Sequence, residues 1–291
     1  MPATTWGAPA RPRFNGPVLK TVAALMLCLL AAGVAQDASA RVGRAVLAFQ
    51  AWYATRSLPG VPLQAGHFRV WVIPSGGAGA TDLGRAQSGG KAAEGWPMQS
   101  GEVLAQLERA YARVTADLGV EPEGAVPVVL HPDEASLERY AGGLAAASTG
   151  VYRGGVIHLV YRGELSGPAA HELTHYLLEA VAPGRVPRWF QEGLAQLEEL
   201  RLAGPVPYRP VPAPFASWRR LERDFARLPD EVAYRASLSA VSFLYHQGGH
   251  QALRRLMLQL AAGRSFAAAV RVAWGWSPGE LERQWSRSGE G

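Results

Sequence analysis

The amino-acid sequence predicts an α+β fold, with a small mixed sheet on one side of a cleft and a helical part on the other. Three observations carry this expectation. Strand-like runs at His67–Ile73, Val126–Leu130 and Gly150–Tyr161 all fall in the first 161 residues. A breaker-free stretch, Ala169–Ala180, follows at once and reads as a helix. Beyond Pro187 the apolar residues recur at helical spacing.

In chain order, Arg11, Arg13 and Lys20 precede an apolar run from Val22 to Ala35, and Ala38-Ser39-Ala40 offers the small residues a signal peptidase reads. Fourteen residues are short for a membrane span, which needs about 20. Residues 1–40 are therefore expected to be a signal peptide, with an uncleaved membrane anchor as the alternative. This implies an exported protein, periplasmic, cell-envelope or secreted, and membrane association would run through residues 21–40. The single cysteine, Cys28, lies inside the run and lacks the small residues before it that a lipoprotein cleavage site requires. A mature chain without cysteine forms no disulfide.

Residues 41–66 read as a spacer or amphipathic segment, with a helix over Arg41–Arg56 stopped by Ser57-Leu58-Pro59-Gly60. A catalytic domain is expected over 67–288, with the sheet and active-site helix to about residue 204 and the helical part over 205–288. His67–Ile73 alternates and ends at Pro74, as a strand does. Ser75–Gly95, with seven glycines, is expected as a surface loop. Gly89-Gly90-Lys91 within it is no phosphate-binding loop, since Arg85 and Ala92 replace the leading glycine and the hydroxyl that would bind magnesium. Glu102–Leu118 has helical periodicity and stops at Gly119. Val126–Leu130 is a strand whose Pro127 favours an edge or a strand start. Glu134–Tyr140 is a short helix, and Gly150–Arg153 with Val156–Tyr161 forms a hairpin around Gly154-Gly155. The C-terminal helices are Glu231–His246, broken by Gly248-Gly249, then Gln251–Ala262, Ser265–Trp274 and a last one capped by Ser277.

The chemistry is concentrated at His171-Glu172-Leu173-Thr174-His175, an H-E-x-x-H pattern. Residues four apart on a helix stand one above the other, so both imidazoles can face one cation while Glu172 reaches a water beside it. Ser166 or Gly167 is expected to cap this helix, with Pro168 in its first turn. Ala170, Leu173, Leu177, Ala180 and Val181 share the face opposite the histidines. After a turn at Pro183-Gly184, a second helix opens at Pro187 with Phe190, Leu194 and Leu197 as its apolar stripe. Folded back as a pair, the two helices would bring Glu192 beside His171 and His175, completing the three protein ligands of a catalytic zinc. Gly193, unfavourable inside a helix, suits a place where another backbone passes close. Glu198 and Glu199, rivals for the third ligand, lie farther down, so loss of Glu199 is expected to leave metal binding normal. Gln196, one turn beyond Glu192, is expected to face solvent, with orientation of a ligand by hydrogen bonding as the alternative.

His-Glu-Leu-Thr-His at 171–175 followed by Pro-x-Trp-x-x-Glu-Gly-Leu-Ala at 187–195 resembles the gluzincin zinc metallopeptidases, in particular the peptidase MA-like family. The resemblance implies a zincin-like fold, one Zn²⁺ held by His171, His175 and Glu192, and Glu172 as general base. It also implies an edge strand, here within Gly150–Tyr161, that pairs with an extended peptide or protein substrate. The metzincin pattern is excluded, because Leu178 and Val181 stand where it needs Gly and His. Peptide hydrolysis further needs a donor for the developing oxyanion, and Tyr234, opening a helix expected to line the far wall, is the first choice, before Tyr245 and His250. The alternative function is a catalytically silent zincin-fold binding or assembly protein of the cell envelope. His67, His131 and His158 read as ordinary strand or loop residues.

At 291 residues and 48% hydrophobic, the chain can bury a sizeable core. Its net charge of +5 includes +2 from the first 40 residues, and the remaining arginines are interspersed with acids. That pattern does not argue for nucleic acid, and no nucleic-acid partner is expected.

Overall fold

The computed structural model describes residues 37–59, 62–74, 101–142, 149–207, 209 and 217–288, with side chains from Ala45 onward. The apolar run Val22–Ala35 and the glycine-rich stretch 75–95 lie outside the described residues. The fold is α+β and mostly helical, with one mixed five-stranded sheet.

The chain enters through helix α1 (Asp37–Thr55) and strands β1 (Leu63–Ala65) and β2 (Phe68–Val72). Helix α2 (Glu102–Leu118), β3 (Val126–His131), α3 (Glu134–Ala141), β4 (Gly150–Arg153) and β5 (Val156–Val160) follow. The remainder is α4 (Ser166–Val181), α5 (Arg188–Arg201), α6 (Trp218–Asp224), α7 (Asp230–Ala261), α8 (Phe266–Trp274) and α9 (Pro278–Arg287). Sheet order is β1-β2-β3-β5-β4, parallel in the middle and antiparallel at both edges. Gly154 and Gly155, both at positive φ, make the two-residue turn that joins β4 to β5 and leaves β4 as an edge strand.

Alternation along the strands sorts the core. Phe68, Val70, Val128, Leu130, Ile157 and Leu159 face α2 and α4, which contribute Leu107, Val114, Leu173 and Leu177 to the same buried cluster. Trp71, Ile73, Val129 and Val156 form a smaller cluster, against which Ala51 of α1 and Leu58 pack. Residues 41–66, read from the sequence as a spacer or amphipathic segment, thus supply a helix packed on the sheet and β1, which pairs with β2. The three-residue β1 carries no alternation long enough to announce itself.

One expectation needs correction. Ser166 is the first helical residue of α4 rather than its cap; the cap position is Leu165, whose side chain accepts nothing. The backbone donors there that lack a partner within the helix are met instead by Gln106 Oε1, which takes the Leu165 N–H, and by Glu164, which takes that of Ser166. Pro127, expected at an edge or a strand start, is the second residue of the central strand β3. It is tolerated because Val126 donates to His67 on the β2 side, which turns position 127 toward β5, and the β5 ladder begins only at Val128. The kink at Gly249, with φ of 57°, divides α7 where the two glycines predicted a break.

His131 and His158, expected to be unremarkable, are buried side by side. His131 Nε2 and His158 Nδ1 are 3.0 Å apart, and Ser136 Oγ lies 3.0 Å from the other nitrogen of His131. Burial lowers His131 to about 4, and burial with the neighbouring His131 and Arg153 lowers His158 to about 3. Both rings are therefore neutral in the fold. Below pH 6.5 the unfolded chain takes up protons that the folded pair refuses, so stability should fall as pH drops from 6.5 toward 4.5, by up to ~1.4 kcal/mol per pH unit for each histidine. Urea unfolding at stepped pH measures this, and equal stability at both ends of that window would contradict the burial argument.

Candidate metal centre

Helix α4 carries His171 and His175 on its partly exposed side while Ala170, Leu173 and Leu177 are buried on the other. The chain turns through Gly184, at φ of 63°, and α5 starts after Pro187. Trp189, Phe190, Leu194 and Leu197 are buried, and the polar side of α5 is left facing the histidines. Gly193 is where α5 meets α7: a Cβ there would stand 2.3 Å from the Ser237 carbonyl oxygen. The close backbone approach inferred from this glycine is therefore present, and it seats the preceding residue, Glu192, deep in the cleft.

The Glu192 Oε2 atom lies 3.8 Å from His171 Nε2 and 3.5 Å from His175 Nε2. All three groups offer a ligand atom within 4.8 Å of the others. Ligands about 2.0–2.1 Å from a tetrahedral ion are separated by about 3.3–3.4 Å, so this donor set fits one metal ion with little adjustment. Both imidazoles present the same nitrogen type, and the carboxylate supplies the negative charge a divalent cation favours.

The charges around the three residues are strongly coupled. Burial alone would lower His171, but Glu192 and Glu199, aided by Glu172, outweigh it and push it up to about 10. Burial likewise acts to raise Glu192, yet the two histidines hold it well below the ordinary carboxylate range. Without metal, a proton on His171 takes the place of a cation, and a metal ion has to displace it. Glu172 is raised chiefly by burial, with the histidines opposing. Its carboxylate accepts the backbone N–H of Tyr152 in β4, and Gly150 sits so close that a Cβ would be 3.1 Å from Glu172 Cγ. The glutamate between the two histidines is thus adjacent to the candidate ligands without being one of them, and it lies against the edge strand.

Other residues take places that the sequence did not show. Glu199 Oε2 is 2.9 Å from His171 Nδ1, the nitrogen turned away from Glu192. Such a carboxylate fixes the tautomer and orientation of a ligating imidazole, so the expectation that Glu199 is irrelevant to metal binding is corrected. A signal was present: Glu199 is seven residues beyond Glu192, two turns along the same helix face. Gln196 does not face solvent but donates to the carbonyls of Glu192 and Tyr234 at 3.1 and 3.0 Å, tying α5 to α7. Tyr234 is raised by burial and by the charge of Glu192, with Arg188 opposing, so its hydroxyl stays neutral beside the triad. Arg188 Nε lies 3.5 Å from Glu192 Oε1. Tyr245 and His250, the alternative donors, are instead engaged with each other at 3.1 Å, and His250 contacts Asp117 at 3.1 Å in a separate ionic cluster around Arg201.

Neither models of known protein families nor previously characterised proteins match the chain.

Glu199→Ala should weaken metal affinity by about 10-fold to 100-fold by releasing His171. Glu192→Ala should remove most bound metal, because two imidazoles alone hold an ion poorly. Competitive titration with a chromophoric chelator measures both, and wild-type affinity in Glu199→Ala would deny it any orienting role.

Proposed function

We propose that the protein is a zinc-dependent peptidase of the gluzincin type, with a zincin-like arrangement of edge strand, active-site helix and helical far wall. The observation that carries the proposal is the convergence of His171, His175 and Glu192, whose ligand atoms lie within 4.8 Å of one another, while the buried Glu172 beside them remains uncommitted to that cluster. Zinc bound there would polarise a substrate carbonyl and lower the pKa of a water. Glu172 would accept that water's proton and return it to the leaving amine, and burial raises its pKa, the direction a general base requires. Tyr234 is assigned as the donor to the developing oxyanion, since its phenol is neutral and neighbours Glu192. The outer edge of β4, which no strand pairs among the described residues, borders Glu172 and would align an extended peptide or protein substrate by backbone hydrogen bonds.

The same proposal takes residues 1–40 as a signal peptide or anchor and the protein as exported, with no nucleic-acid partner. Among the described residues no helix is long and apolar enough to cross a membrane. A catalytically silent relative of the same fold would retain the ligands, but it would have no need of an acid beside them.

Metal analysis of the purified protein together with cleavage of a diverse peptide pool tests the reading. Stoichiometric zinc with peptide cleavage is expected; zinc without cleavage would favour the silent binding protein. Glu172→Gln should keep its metal and lose roughly 10²-fold to 10⁴-fold in rate. Tyr234→Phe should lower kcat by roughly 10-fold to 10³-fold at unchanged metal content, and full kcat in that variant would return Tyr234 to a packing role.

A further inference from the structure

We infer that the outward face of α1 is a membrane-contact surface, which seats Phe49, Trp52 and Tyr53 among the headgroups of an anionic bilayer. A helix packed on a protein core normally turns polar residues to water, whereas α1 is apolar on both sides. Its inner side holds Leu47, buried, and Ala51, which packs on the sheet. This docking is tight, since a Cβ at Gly155 in the β4–β5 turn would lie 2.8 Å from the Leu47 carbonyl oxygen. On the other side Phe49, Trp52 and Tyr53 are 37%, 59% and 42% exposed. Their spacing of three and four residues puts them on one face, continued by Arg56 a turn later. The rings touch one another, with Phe49 5.8 Å from Trp52 and 6.4 Å from Tyr53, while the Arg56 guanidinium lies over Tyr53 at 3.8 Å. Exposed aromatic rings gathered on a rigidly docked helix mark an interaction surface.

Two observations identify the occupant as a bilayer. From Asp37, the first residue of α1, to Gly66 the sequence carries Arg41, Arg44 and Arg56 against the one acid Asp37, a net charge of +2 that complements anionic headgroups. The apolar run Val22–Ala35 ends two residues before α1 begins, so a retained or not yet cleaved run would deliver this helix to the membrane surface. Trp and Tyr favour that depth because each joins an apolar ring to a polar tip, and an arginine beside them can reach phosphate. This inference does not depend on the metal reading, since no residue of the metal centre takes part.

The test uses the full chain in a Cys28→Ser background, with a nitroxide on Ala48→Cys, an exposed position one turn before Trp52 at the flank of the aromatic face. A second label at Leu258→Cys, exposed on the distant half of α7, serves as reference. With vesicles of phosphatidylcholine and phosphatidylglycerol, position 48 should become several-fold more accessible to oxygen than to a water-soluble nickel chelate, while position 258 stays water-exposed. Equal water exposure at both positions on vesicles would overturn the inference. So would spin–spin broadening between position-48 labels in solution without lipid, which would identify a second copy of the chain as the occupant.

Discussion

The contact between Gly193 and the Ser237 carbonyl governs how the cleft is assembled. With a Cβ position only 2.3 Å from that oxygen, α5 lies on α7 at a separation that no residue with a side chain permits without a shift of backbone. Glu192 is the next residue toward the N-terminus, so the depth of its carboxylate follows from this approach. Gln196, one turn on, bonds Glu192 and Tyr234 through their carbonyls and fixes the two helices in the same register. At the far end of α5, Arg201 meets Asp117 of α2 at 2.8 Å, which ties the helix to the layer beneath the sheet. One helix is thereby held at three points, and the triad inherits its geometry from them.

The distribution of charge along α5 shows how neighbours in sequence serve different ends. Glu198 and Glu199 are adjacent, yet a helix turns them about 100° apart. Glu199 reaches His171, whereas Glu198 is fully buried on the side of Asp117 and Arg201 and is pushed up to about 8 by burial and by Asp117. The first bonds an imidazole of the candidate metal centre and the second belongs to the packing of α5 against α2 and α7. Around His171 the carboxylates of Glu192 and Glu199 form a negative lining that calls for a cation, supplied by a proton or by a metal.

Local pattern made much of the fold legible. The five-stranded sheet lacked only β1 among the expected strands, and the hairpin of β4 and β5 followed from two adjacent glycines that both adopt positive φ. Helix ends at Gly119, Gly142 and Ser277 fell where capping chemistry requires them. Pro127 stands at the start of β3, one of the two places expected, but that this strand is central was not legible, because a proline excludes one donor on one side of a strand and that side depends on where the neighbouring ladder begins. The α4 start was misplaced for a related reason, since its donors are satisfied by Gln106, distant in sequence, and by Glu164 just outside the helix.

The metal-binding candidates His171 and His175 were readable from the sequence alone because a helix fixes the relation of residues four apart whatever surrounds it. Glu192 was also readable, through the short connection and the apolar stripe that oblige α5 to fold back on α4. The sequence could also flag Gly193 as a site of close approach, though not the backbone it meets. Only the tertiary structure decided that Glu199 orients His171, that Gln196 joins α5 to α7, and that Tyr245 and His250 are consumed by the cluster around Arg201. It alone decided that His131 and His158 share a buried hydrogen bond and that α1 shows aromatic rings to the outside. These are relations between elements far apart in the chain, where the side a residue faces is set by packing against partners that no local spacing encodes.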